Sequence, residues 1–468
     1  MQCDPVFSRR RFLAGSMATA AATVVPRHVL GGAGHVPPSE QLNVAVIGTG
    51  GQGITNIKNL LTHKDVKITA ICDPAPFWDN TEFYYRHNSG RGPAMEAIEE
   101  YYRQNPSEGS HDCKVYLDFR IMLEKSGPDI DAVLVATPNH VHAVATMAAI
   151  RAGKGVYCEK PLTYSVYEAR RVAQAAREAK VATQLGNQDH SSDDIRRAVE
   201  WVRDDAIGAI RAVHCWAGEN RPQEFTARPK ETPPVPEGLD WDLWLGPAPE
   251  RPFHPAYVPM KWHYWWDFGD GKLGNFGCHT LDTAVWALDL EHPTLIEASS
   301  TPLSDETTPI ASTCHYKFPA RGSRPPVDLY WYDGGIRPPR PECLELNRSL
   351  PRDGGSLLVG EHGAILSGIW SGSPRIIPET KMRAYTLPAA SIPRSRGHHR
   401  DWIDACKGGP PASANFDYGA RLTEIVLLGV VALRTGKTLH WDGEAMKATN
   451  APEVDPILRG HHRKGWEV

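Results

Sequence analysis

The chain has nine cysteines but no Cys-x-x-Cys pair, so the zinc-ribbon and thioredoxin-like readings lack their basic unit. Cys72, Cys158 and Cys215 sit in or beside apolar, strand-like runs and read as small buried hydrophobes rather than half-cystines. No block of Lys and Arg marks a nucleic-acid surface, and the formal net charge is only −4. No internal apolar run is long enough to span a bilayer. No segment repeats. What remains is a chain of 468 residues, 41% hydrophobic and 23% charged. That balance supports a sizeable core, and the length suits two or three domains.

The first residues read as an address. Ser8-Arg9-Arg10-Arg11-Phe12-Leu13 precedes a mild apolar run from Ala14 to Val25. This is the pattern of a twin-arginine export signal over residues 1–35, with a cleavage point near Gly32 to His35 and a periplasmic destination. The rival is a chance Arg cluster before a first helix, but the run has too little amphipathicity for a core helix. The twin-arginine route carries folded proteins, often with a cofactor already inside. The periplasm maintains no NAD pool, so a cofactor there is expected to be tightly held and recycled in place.

After the signal, strands and helices alternate. Leu42 to Ile47 is a buried strand that ends in Gly48-Thr49-Gly50-Gly51-Gln52-Gly53, and Ile54, Ile57, Leu60 and Leu61 follow at helical spacing. Val66 to Cys72 is a second strand, closed by Asp73-Pro74. Ile130 to Ala136 is another, ending in Thr137-Pro138-Asn139, with a helix from His142 to Ala152. Gly155 to Cys158 leads into Glu159-Lys160-Pro161. The alternation predicts a doubly wound parallel sheet, a dinucleotide-binding domain spanning residues 41–161. Residues 162–468 form the second domain. It opens with a helix from Val166 to Lys180 and contains strands at Ile210 to Trp216 and Val327 to Trp331, an antiparallel sheet, and a closing helix from Arg421 to Thr435. The Pro- and Trp-rich stretch from Arg221 to Pro259 is an ordered loop, because Trp needs partners to pack against. It is the candidate rim over the cofactor.

Gly48-x-Gly50-x-x-Gly53 between a strand and a helix is a pyrophosphate-binding fingerprint. Gly48 permits the turn, Gly50 admits the phosphates, and Gly53 allows helix and strand to approach. Asp73, ending the second strand, is placed to accept hydrogen bonds from ribose hydroxyls. It would repel a 2′-phosphate, and no Arg follows it directly, which favours NAD over NADP. Lys160 lies past a strand's carboxyl end, held extended by Pro161. There it either polarises a substrate hydroxyl or is a solvated lysine at a domain junction. In Gly274-Asn275-Phe276-Gly277-Cys278-His279-Thr280-Leu281-Asp282, residues 275, 279 and 282 share a helical face. His279 suits acid–base chemistry, with Asn275 or Asp282 orienting its ring. A metal site is the rival use and is thin with one His and one Asp; a helix cap plus a core histidine is the structural one. His254, His263 and Tyr264 lie in an aromatic stretch suited to sugar rings, although packing accounts for most of those aromatics. The pairs His398-His399 and His461-His462 read as surface residues.

In their order, Gly48-x-Gly50-x-x-Gly53, Thr137-Pro138-x-x-x-His142, Glu159-Lys160-Pro161 and Gly274-x-x-x-x-His279-x-x-Asp282 resemble the Gfo/Idh/MocA oxidoreductases. The stretches His399-Arg400-Asp401-Trp402, Asn415-Phe416-Asp417 and Lys464-Gly465-Trp466 resemble the exported branch of that family. The resemblance implies a Rossmann domain and a C-terminal α+β domain with a large, mostly antiparallel sheet that forms a homo-oligomer interface, a dimer or tetramer. It implies hydride transfer between a nicotinamide cofactor and a sugar or polyol, with Lys160 and His279 catalytic and Asn275 where some members have Asp. Gly51, Gln52, Thr137, Pro138, Asn139, His142, Glu159 and Lys160 join the glycines and Asp73 as the expected cofactor set, and Gln188, His263 and Asn275 join Lys160 and His279 as the expected substrate set. No metal is expected. Two other functions share this frame: a glycoside hydrolase or lyase using transient NAD-mediated oxidation, and a non-catalytic sugar-binding protein.

Overall fold

The computed structural model describes residues 37–108, 111–219 and 227–468. The expected signal over residues 1–35 and its cleavage point lie outside them. Up to Gln41 the described residues hold a single 3-10 turn, Pro38–Glu40. Everything from Leu42 to Val468 is one unit that holds both sheets.

The first sheet grows from the predicted alternation. Its strands are β1 (Leu42–Ile47), β2 (Val66–Cys72), β3 (Lys114–Tyr116), β4 (Ala132–Val135), β5 (Gly155–Glu159) and β6 (Thr183–Gly186). The helices between them are α1 (Gly51–Leu61), α2 (Arg91–Gln104), α3 (Phe119–Ser126), α4 (Asn139–Arg151) and α5 (Val166–Ala179). The order is β3-β2-β1-β4-β5-β6, all parallel. The reversal of strand order between β1 and β4 is where ligands of such sheets bind. A boundary at residue 161 falls inside this sheet, because β6 pairs with β5 from Val156↔Thr183 to Glu159↔Gly186. Helix α4 starts at Asn139, earlier than its apolar spacing suggested, since Pro138 supplies an extended N-cap.

The remainder builds a nine-stranded sheet. After α6 (Asp193–Arg203) come β7 (Ile210–Ala217), α7 (Trp241–Leu245), α8 (Gly271–Leu288), β8 (Leu295–Ser300), β9 (Ser312–Phe318), β10 (Val327–Tyr332), β11 (Gly354–Gly360), β12 (Gly363–Gly368) and β13 (Arg375–Ile377). Then α9 (Glu379–Ala384), α10 (His398–Cys406), α11 (Phe416–Thr435), β14 (Leu439–Asp442), β15 (Lys447–Ala448) and α12 (Asp455–Arg459) complete the chain. The order is β13-β12-β11-β7-β10-β9-β8-β14-β15, antiparallel except where β10 runs parallel to β7. Alternation fixes its faces: Val213, Cys215, Leu329, Trp331, Cys314 and Tyr316 point to the core with α8 and α11. The eight described cysteines are free, and Cys72, Cys158 and Cys215 are buried as apolar residues.

The helix α11 packs against β6 of the first sheet and against β8 and β9 of the second, and α10 adds Trp402 and Ile403 to the core beneath β1 and β4. This overturns the surface reading of His398 and His399. The first turn of α10 is inserted against β5 and β6, so both rings are buried although they leave the helix in different directions. His399 stacks on Tyr157 at 5.2 Å and its Nε2 meets the Asn56 amide oxygen at 3.1 Å, while His398 Nε2 lies 2.9 Å from the Leu185 carbonyl. His462 is likewise no surface residue. It meets the buried Glu168 carboxylate at 2.6 Å, which raises its pKa; His461 is exposed.

Candidate active site

A cleft of about 1410 Å3 opens at the carboxyl edge of the parallel sheet. Gly48, Gly50, Gly51, Gln52, Asp73, Thr137, Pro138, Asn139, His142, Glu159, Lys160, Gln188, His263, Asn275 and His279 all line it. Of the expected site residues Gly53 alone does not. It sits behind the loop, where a Cβ would collide with the Gly48 carbonyl, so it lets α1 approach β1. Gly48 has φ +89°, a left-handed conformation that its turn requires.

The nucleotide end fits a dinucleotide. No side chain caps α1, so its first N–H groups are left for an anion, and a Cβ on Gly50 would meet nothing within 4 Å. The Thr137 hydroxyl is buried without a partner. The Asp73 carboxylate accepts from the Thr49 N–H at 2.7 Å and the Ala75 N–H at 2.9 Å, which aims it along the cleft; burial nevertheless raises its pKa. Arg91, remote in sequence, donates to the Asp73 carbonyl rather than entering the cleft. The volume exceeds the roughly 300–1,000 Å3 usual for small-ligand pockets, leaving room for a sugar beside a dinucleotide.

Residues 73–90 supply a feature that the sequence reading missed. Trp78 and Ser89 pair across this segment, and the Gly90 N–H bonds the Thr49 carbonyl at 2.8 Å, tying it to the glycine loop. The Tyr85 ring covers Gly51, where a Cβ would strike it, and its hydroxyl meets Gln52 Oε1 at 3.3 Å. The expected rim from Arg221 to Pro259 is described from residue 227. It contains the helical turn α7, and Trp241 and Trp244 stack at 4.7 Å inside an aromatic cluster with Phe253, Tyr257 and Trp265. Leu243, Trp244, Ala256, Val258 and Pro259 reach the cleft, and so does Trp466 from the chain's end. His263 and Tyr264 line it too, whereas His254 does not.

The far end holds the titratable groups. Lys160 Nζ donates to the Asn275 carbonyl at 2.8 Å and to Asn275 Oδ1 at 2.7 Å. Two of its three hydrogens are thus assigned and one remains for a ligand. Burial lowers the Lys160 pKa against the opposing pull of Glu159. Asn275 therefore steers Lys160 and does not orient His279, because the lysine reaches the turn of α8 that lies before the histidine. Asp282 does not orient His279 either. It turns toward the end of β6, where it accepts from Asn187 Nδ2 at 2.7 Å, faces His190 Nδ1 at 3.0 Å and bonds the Tyr418 hydroxyl. It anchors α8.

His279 meets a carboxylate that the sequence reading left out. Its buried Nδ1 has no hydrogen-bond partner and lies 3.6 Å from Asp189 Oδ2. Burial, with the charge of Lys160, holds the His279 pKa well below the usual range, so the ring is neutral at pH 7. Burial and the nearby Asp282 raise Asp189 to about 6. His263 is half-buried and neutral, and its buried Nδ1 has no hydrogen-bond partner. The other expected residues support the site. Glu159 accepts from Asn56 and Gln188, both at 2.9 Å; His142 is clamped between the Pro161 and Thr137 carbonyls; Asn139 donates to Asp270 at 2.8 Å. No cluster of three metal-ligating side chains occurs among the described residues.

Comparison with known proteins gives this geometry a context. Residues 89–187 match the model of an oxidoreductase family's NAD-binding Rossmann fold, and residues 214–319 match that family's C-terminal α/β domain. The chain is 54% identical over 167 residues to a 1,5-anhydro-D-fructose reductase of Ensifer adhaerens, covering 35% of this chain and 39% of that one. It is 28% identical over 210 residues to a glycosyl hydrolase family 109 protein of Stenotrophomonas maltophilia, covering 45% and 41%. The chain thus spans about two fifths of the length of these relatives. Among solved structures, the WlbA dehydrogenase from Bordetella pertussis in complex with NADH and UDP-GlcNAcA superposes with a TM-score of 0.57 at 15% identity, covering 86% of this chain and 99% of that one. Levoglucosan dehydrogenase in complex with NADH and L-sorbose gives 0.53 at 15%, covering 86% and 98%. Both share the fold.

Proposed function

From the membership of this chain in the Gfo/Idh/MocA oxidoreductase family, with its NAD-binding Rossmann domain, we propose that the protein oxidises or reduces a CH–OH carbon of a sugar or polyol. The observation that carries this is the meeting of Lys160, steered by Asn275, with a neutral, partly unsatisfied His279 in the cleft that begins at the glycine loop. NAD, when bound, supplies the hydride acceptor. The imidazole of His279 takes the hydroxyl proton. The free N–H of Lys160 bonds the same oxygen and stabilises its developing negative charge. Asp189 faces the ring as it gains charge. Glu159, fixed by Asn56 and Gln188, favours the ammonium form of Lys160. The walls at Trp244, Val258 and Pro259 exclude water.

Asp73 favours NAD over NADP, and the Tyr85 segment together with the 227–259 rim supports a tightly held cofactor. The reading extends to an exported protein, from the Ser8 to Leu13 motif, and to a homo-oligomer, for which the half-exposed stack of His214, Tyr330 and His315 on the open face of the large sheet is the support. The likeness to a glycosyl hydrolase family 109 protein favours one second reading, redox-assisted cleavage of a glycoside. The deciding experiment incubates purified holoprotein with sugars and glycosides and analyses the products. A keto sugar or lactone with matching NADH supports the oxidoreductase, a released aglycone without net NADH supports the second reading, and no conversion overturns both. Cell fractionation and light scattering test location and assembly.

A further inference from the structure

Beyond His279 the cleft runs on past Gly218, Glu219, Lys272, Phe276, Arg352 and Trp370. Three neighbouring strand ends build most of this wall. The end of β7 pairs with the start of β11 at Ala217↔Gly354, and the start of β11 pairs with the end of β12 at Gly355↔Gly368. The parallel sheet contributes nothing to it. Trp370 follows β12, lines the cleft and stays 39% exposed. It is nevertheless held in place. Its edge meets His279 with ring centroids 4.6 Å apart, and Phe276 lies at 5.6 Å. The next residue, Ser371, is buried, and its hydroxyl bonds Thr283 Oγ1 at 2.8 Å and the His279 carbonyl at 3.3 Å. Ser371 and Ser373 have φ of 54° and 50°, and such left-handed non-glycine residues persist where surrounding contacts over-determine them, often at ligand clamps.

An exposed indole fixed beside a catalytic imidazole, with charged groups around it, has the chemistry of a sugar platform. The C–H face of a pyranose lies on the ring while its hydroxyls bond the rim. Here the rim is Lys272, whose ammonium sits 4.3 Å from the Phe276 ring centre, and the exposed Glu219–Arg352 pair at 3.1 Å. The His279 ring, in edge contact with Trp370, marks the inner end of the same wall. We propose that Trp370 stacks a second sugar ring joined to the one that reacts, so that the substrate is a disaccharide or glycoside rather than a free monosaccharide. This rests on the carbohydrate reading of Lys160 and His279.

The test compares methyl β-glucoside with cellobiose, lactose and maltose on NAD-loaded protein. Saturation-transfer NMR and titration calorimetry read binding; absorbance of NADH reads turnover. One disaccharide should bind more tightly than the methyl glucoside, with transfer to both rings. Trp370→Ala should weaken that disaccharide about tenfold more than the monoglycoside, and Trp370→Phe should restore most of the difference. Equal weakening of both ligands overturns the proposal, because the indole then serves only to hold His279. It also fails if no disaccharide binds more tightly than the monoglycoside in the unmodified protein. Selective disaccharide binding without any NADH or product would leave this subsite standing and remove the oxidoreductase reading instead.

Discussion

The two ends of the cleft are built on different principles. The nucleotide end is made by backbone and by residues close in sequence: Gly48 to Gly53 turn within a few residues, and Asp73 is held by the N–H groups of Thr49 and Ala75. The reaction end is made by side chains from distant segments. Lys160 meets Asn275 across a separation of 115 residues, and Asp189 meets His279 from the 3-10 turn Gln188–Ser191. Local backbone gives affinity for a shape that many substrates share. Distant titratable groups give chemistry, because partial or full burial perturbs their protonation, as it does for Lys160, Asp189 and His279. If the ends are separable in this way, damage to one should spare the other.

The largest expected effect tests that directly. Lys160→Ala and His279→Ala should each lower kcat by about 10²–10⁴-fold, the usual contribution of a positioned acid or base. The Kd for NAD, read by fluorescence titration, should stay within a few-fold. A variant that loses NAD binding as severely as turnover would erase the distinction.

A second effect lies at the seam. Asp270 precedes α8 and accepts from Asn139 at the start of α4, and burial raises its pKa from 3.8 to about 7. The folded state thus holds a proton that the unfolded state releases near pH 4. Stability contributed by this group is full below pH 4 and is lost as the pH rises to about 7. Asp270→Asn removes that loss while offering Asn139 an amide oxygen. Its advantage over the unmodified protein in chemical denaturation should therefore grow between pH 5 and pH 8 by roughly 2 kcal/mol. A constant difference would mean that the carboxyl titrates normally.

These contrasts also explain what the sequence disclosed. The glycine loop and the alternation of strands and helices were readable because their meaning is local: a Gly at φ +89° or a buried β-branched strand requires little more than its neighbours. The Glu159-Lys160-Pro161 segment and the His279 turn could be singled out, but not how they meet. Spacing placed Asn275, His279 and Asp282 on one face of α8, and the structure gives them three separate partners. A helical face is wide enough for Lys160, Asp189 and His190 to approach it from different sides. Asp189 was passed over beside Gln188 because nothing in an isolated Asp reports that a turn carries it to an imidazole. His398 and His399 misled for the opposite reason: adjacent residues point apart, which suggests solvent only when the helix end is not itself buried. The domain boundary near 161 missed β6 because Thr183–Gly186 is a short strand with a weak apolar pattern.

A third prediction concerns cofactor retention. Tyr85 covers Gly51 from a segment tied to the glycine loop through Gly90 and Thr49. Tyr85→Ala should speed NAD release about tenfold in stopped-flow chase experiments while kcat at saturating NAD changes little, since affinity differences fall mainly on dissociation. Unchanged release would shift retention to the 227–259 rim alone.

The smallest effect is the most informative about the reaction end. Asp189 stands at about 6 because burial and Asp282 disfavour its charge, and it faces the Nδ1 side of His279. Above pH 6 it is ionised and stabilises the imidazolium that forms when His279 takes the substrate proton. Below pH 6 it is protonated and offers no charge. The kcat for alcohol oxidation should therefore rise through an apparent pKa near 6. Asp189→Asn keeps the shape and removes the charge, so it should abolish that limb and lower kcat at pH 8 about three- to tenfold, within the range of a single charge interaction at a partly exposed site. Its KM should be nearly unchanged, since Asp189 acts through His279 rather than on the sugar. A purely structural role would lower stability and leave the limb in place. Persistence of the limb in Asp189→Asn would assign the titration to another group and return Asp189 to the wall of the cleft.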